Sequence, residues 1–112
     1  MIVDIHTHAF AVPDHVEPRF LEEAQRARGG IPIDLHITSE AHAAAMAPVD
    51  RCIVFGLKAR HVGIHTPDDF IADFVARDPK RLGFCAVDPN EPGFLEIFER
   101  ATTDLGLVGI KL

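Results

Sequence analysis

The stretch Ile2-Val3-Asp4-Ile5-His6-Thr7-His8 decides how the rest of the chain is read. Ile2 to His6 reads as a strand, because Val and Ile dominate it and a polar cluster near Pro13 and Asp14 ends it. Side chains alternate faces along a strand, so Ile2, Asp4, His6 and His8 are expected on one face and Val3, Ile5 and Thr7 on the other. Two residues that share a face this way have Cα atoms roughly 6.5 Å apart, so both imidazoles can reach one ion at Zn–N distances of about 2.0–2.1 Å. The plainer reading of the His-Thr-His triplet is a polar strand end.

Beyond this strand, apolar patterning alternates between two periods. A helix is expected from Glu17 to Arg28, with Phe20, Leu21 and Ala24 on one face and Gly29-Gly30 as its stop. Ile31 to Thr38 is ambiguous. Ser39 reads as the N-cap of a short Ala-rich helix ending before Pro48, and Arg51 to Leu57 as a strand covered on both faces. Thr66 then reads as an N-cap, with Pro67 at the first helical position, Asp68 and Asp69 in the first turn and Phe70, Ile71, Phe74 and Val75 as the apolar stripe. Gly83 to Val87 is the third strand. A helix from Gly93 to Thr103, supported by Glu96 and Arg100 at i, i+4, stops near Gly106 before a fourth strand, Leu107 to Leu112.

Strand, helix, strand, helix, strand, helix, strand is the signature of α/β crossover units on a parallel sheet. Four strands suit either an open doubly wound sheet or half of a (β/α)8 barrel, which needs about 250 residues. No linker, low-complexity tract or short repeat divides the 112 residues, so residues 1–112 read as one unit that stops early.

Composition narrows the function classes. Seventeen acidic against 11 basic residues give a net charge of −6, and no Lys/Arg cluster tracks a phosphate backbone, which argues against nucleic acid. Cys52 and Cys85 lie inside apolar runs and read as buried reduced thiols, pointing to a reducing, cytoplasmic compartment. The sequence carries no signal-peptide or membrane-span pattern, so no membrane partner is expected.

The motifs together resemble amidohydrolase family 2. IVDIHTH is similar to the opening strand of the wider superfamily, APVDRCIVFG to the family's second strand, RLGFCAVDPNEP to its third strand and following loop, and DLGLVGIKL to its fourth. TatD-like deoxyribonucleases share the His-x-His strand, but the acidic balance here suits their substrate poorly. The polymerase-and-histidinol-phosphatase family follows the motif with a Ser-Asp-Gly-like turn, whereas this chain continues Ala9-Phe10-Ala11-Val12-Pro13. The family resemblance implies the N-terminal half of a (β/α)8 barrel whose divalent metal, commonly zinc, is held by His6 and His8 with further histidines and an aspartate from later strands. Those later ligands have no counterpart before Leu112. A metal so held polarises a carbonyl and brings the pKa of water near 7, which permits hydrolysis at neutral pH.

Lys111 shares parity with Leu107 and Gly109 and is expected to point into the barrel, where it could pair with Asp4, contact an anionic substrate or, as in binuclear superfamily members, be carbamylated; the alternative is a solvated strand end. His61 and His65, beside Lys58 and Arg60, form a basic loop suited to a carboxylated substrate or simply to solvent. His42 reads as a surface or half-buried helix residue, His15 and His36 receive no role, and turn chemistry accounts for Asp88 and Asn90. The resulting expectation is a metal-dependent hydrolase of a small carboxylated or cyclic compound. Its alternatives are a decarboxylase of the same family and a non-catalytic fragment, and its open strand edges would admit a homo-oligomer.

Overall fold

The structure, a computed structural model, describes residues Met1–Leu112. Its elements are β1 (Val3–His8), α1 (Pro18–Ala27), α2 (Ser39–Ala45), β2 (Arg51–Phe55), β3 (Lys58–Ala59), β4 (Ile64–His65), α3 (Asp68–Ala76), β5 (Arg81–Ala86), α4 (Phe94–Thr103) and β6 (Gly109–Lys111). β1, β2, β5 and β6 form a four-stranded sheet in that order, every neighbouring pair parallel. The chain is therefore α/β, as the alternating patterns require. Strand order follows chain order without reversal, so the topological switch point of a doubly wound sheet is absent among these strands.

α3 and α4, with Met46 at the end of α2, pack on one face of the sheet. Cys52 and Val54 of β2 and Cys85 of β5 meet Ile71 and Phe74 of α3 and Ala101 of α4 in the main core cluster. β2 supplies Cys52 and Val54, and β5 supplies Cys85 with Val87 just beyond its end, so both runs hold small or branched side chains at every second position. Both cysteines are buried free thiols, and burial raises their pKa, so they behave as small hydrophobes. The opposite face carries Ile53, Leu82 and Phe84, and Leu82 remains 38% exposed. Gly109 sits on that face because a Cβ there would stand 2.4 Å from the Phe84 ring.

A second cluster, Phe10, Val16 and Ile64, packs α1 through Phe20 and Leu21 against the segment after β2. That segment contains the antiparallel ribbon of β3 and β4, which the sequence pattern does not announce. No helix is long and apolar enough to cross a membrane.

Several local expectations change. Thr38, not Ser39, caps α2, its side chain accepting from Ala41 N–H. Thr66 is no cap: it is fully buried, its hydroxyl accepting from Leu57 N–H, and α3 starts after Pro67 with no side-chain cap. Arg100 does not pair with Glu96 but makes a two-pronged bond to Asp69 of α3, at 2.9 and 2.7 Å, and holds that carboxyl below the usual range. Leu107 does not face the open side; it is buried in the helix-facing core, where it fills the space left by Gly83.

Candidate metal centre

The last residues of the four strands, His8, Phe55, Ala86 and, at the end of β6, Lys111, form the C-terminal rim of the sheet. This is where parallel α/β sheets place ligand-handling groups. On β1 the register runs Val3 to Arg51 and Asp4 to Cys52, then shifts, resuming at Thr7 to Val54 and His8 to Phe55. One extra residue is thus accommodated on β1, a bulge that carries Ile5 and His6. The expected common face for Asp4, His6 and His8 is corrected accordingly. Asp4 stands in register with Cys52 on the helix-facing side, and its carboxylate accepts from His6 N–H at 2.9 Å. Asp4 therefore satisfies a backbone donor freed by the bulge.

His6 and His8 do converge. Their Nε2 atoms stand 3.1 Å apart. Two nitrogens at about 2.0–2.1 Å from one zinc ion, in near-tetrahedral array, stand roughly 3.3 Å apart, so the pair fits a shared ion closely. His8 Nδ1 lies 3.2 Å from the Phe55 carbonyl; a carbonyl only accepts, so Nδ1 carries the hydrogen and Nε2 keeps its lone pair. Burial lowers the His8 pKa; the bond to Phe55 opposes this, and the neighbouring His6 and Lys111 reinforce it. The direction of the shift favours the neutral imidazole a metal requires. Phe55 packs edge-on against both rings, centroids 5.0 Å from His6 and 4.6 Å from His8, and Phe10 stacks on His8 at 5.3 Å. No third His, Cys, Asp or Glu joins the pair in a metal-binding group.

A cavity of about 280 Å³ adjoins the pair, lined by Asp4, His6, His8 and His42 with Ile37 and Met46 as apolar wall. A larger one of about 330 Å³ between α2 and α3 contains neither metal candidate. The strand-end position and converging nitrogens, rather than size, single out the first.

His42 is not a surface residue. It is the only buried residue of α2, its Nε2 3.1 Å from Thr7 Oγ1, its ring edge-on to Phe74, and its Nδ1 without a partner. Burial first, and Arg81 second, lower its pKa. Lys111 registers with Ala86, on the face of Phe84 and Gly109 as expected, and forms no ion pair. Its ammonium donates to the Leu112 carbonyl, and β2 and β5 lie between its strand and that of Asp4, so the alternative pairing with Asp4 is not formed.

The basic loop also differs. Lys58 is buried against Asp68 and is not free to meet a substrate. Arg60 and His65 both approach Glu91, at 3.5 and 3.9 Å, while His61 is exposed. His15 and His36, given no role, accept from Ala11 N–H and Val12 N–H and so shape the loop after β1. No family model matches the chain, and no curated protein matches it.

Proposed function

We propose that these strands are the first half of a (β/α)8 barrel of the amidohydrolase family 2 type, and that His6 and His8 hold a catalytic divalent metal, zinc by preference. The observation that carries the reading is the 3.1 Å separation of the two Nε2 atoms at the C-terminal end of the first strand. The unreversed parallel order and the packing of α3 and α4 on one face support the barrel half. Further ligands would come from strands added at the free edges of β1 and β6.

The metal, when bound, supplies Lewis-acid polarisation of a substrate oxygen. The chain's own residues do the rest. His8, fixed by the Phe55 carbonyl, offers a defined lone pair. Phe55 and Phe10 exclude water from one side of the pair. Lys111, on the open face and in no ion pair, suits a carboxylate or other anionic group of a small substrate. Hydrolysis of a small carboxylated or cyclic compound, in the cytoplasm, is the activity we favour. The zinc-loaded protein with those added strands in place, given a panel of lactones, amides and unsaturated carboxylic acids, is expected to hydrolyse members of the first two groups, and its His6→Ala/His8→Ala double variant to hydrolyse none. Carbon dioxide release from an acid without any hydrolysis would replace this reading with decarboxylation.

A further inference from the structure

We propose that the Thr7 hydroxyl, held between the Ile53 carbonyl and His42, is a positioning group that sets the direction in which both imidazoles of the His-x-His pair point. The inference rests on the reading of His6 and His8 as a ligand pair, and it deepens that reading.

The parallel ladder that joins β1 to β2 is broken between Asp4 and Thr7. The backbone that presents His6 is therefore not fixed by regular strand pairing. Thr7 is the first residue after the break and lies between the two imidazole-bearing residues, its side chain on the opposite face. Its hydroxyl donates to the Ile53 carbonyl at 2.7 Å, so its lone pairs are left to accept. His42 Nε2, at 3.1 Å, is then the donor. The hydroxyl is fully employed in a chain running from α2 through β1 to β2, in a site where Thr7 and His42 are both buried. A β-branched side chain with its hydroxyl bonded on two sides cannot change rotamer without breaking a buried hydrogen bond. Holding this side chain holds the peptide planes on either side of it, and those planes carry His6 and His8. His42 is also the sole buried residue of α2, so the same contact anchors that helix to the strand.

The test uses three variants. Thr7→Val keeps shape and loses the hydroxyl, Thr7→Ser keeps the hydroxyl, and His42→Leu removes the upper link without touching the sheet. Cobalt(II) affinity and its visible d–d spectrum are read for each, and the His8 tautomer is read in the metal-free protein from long-range 1H–15N spectra. Expected results are a roughly 10- to 100-fold loss of cobalt affinity with an altered spectrum in Thr7→Val, recovery in Thr7→Ser, and a mixed His8 tautomer in Thr7→Val alone of the two. His42→Leu should shift the same readings in the same direction, and it decides the matter should Thr7→Val not fold. Wild-type cobalt affinity and a single Nδ1–H tautomer in Thr7→Val, or in folded His42→Leu if Thr7→Val is unfolded, would overturn the proposal. If the wild-type protein takes up no cobalt but the His8 tautomer still shifts in Thr7→Val, the metal reading fails and the positioning role stands.

Discussion

The ammonium of Lys58 and the carboxylate of Asp68 meet out of reach of water, with side-chain exposures of 4% and 5%. The other Asp68 oxygen accepts from Ala86 N–H at 3.2 Å, so one carboxylate ties the ribbon after β2 and the start of α3 to the end of β5. Removing one partner leaves the other charged and buried. Asp68→Asn is expected to cost about 3–5 kcal/mol in denaturant unfolding, whereas the double variant Lys58→Met/Asp68→Leu should recover most of it. A single-variant loss below about 1 kcal/mol would mean that water reaches the pair.

Acid should weaken the fold through one buried imidazole, His42, and three half-buried ones. The pKa values of His42, His8, His15 and His65 are all lowered, with burial the largest cause in each. The unfolded chain takes up protons as pH falls below about 6.5, while the folded chain resists them, so stability is flat above that value and declines from there towards the lowered folded values. Chemical unfolding of metal-free protein between about pH 7 and 5 checks the sign. His42→Leu should reduce the slope.

Gly56 lies where a Cβ would stand 2.3 Å from Thr66 Cβ, and Thr66 is fully buried. Gly56→Ala should therefore destabilise by about 1–3 kcal/mol through overpacking, visible as a lower thermal midpoint. An unchanged midpoint would show that Thr66 can move aside.

Leu82, Val108 and Ile110 are 38%, 66% and 44% exposed around the open face and free edge of the sheet. Residues 1–112 produced alone should self-associate, as sedimentation would show, because apolar surface and unpaired strand edges seek partners. A monomer with a sharp cooperative melt would contradict the half-barrel reading.

Long-range order was legible in the sequence where it depended on period. The four parallel strands and the helices α1 to α4 follow from apolar spacing, and the shared face of His6 and His8 from strand alternation. What escaped depends on contacts the period does not record. β3 and β4 are two residues each, too short for any pattern. The bulge in β1 leaves the letters of the strand unchanged yet moves Asp4 to the other face. Lys58 and Asp68 looked like a loop base and a first-turn acid because only the tertiary fold buries them together. His42 among alanines looked superficial or at most half-buried for the same reason: its partner, Thr7, is 35 positions away.

The central claim is that His6 and His8 bind one metal ion together, and elemental analysis after equilibration with zinc tests it most directly. The protein is predicted to retain bound zinc through extensive dialysis, and the His6→Ala/His8→Ala variant, folded by its melt, to retain far less. Equal zinc content in the two proteins would contradict the claim.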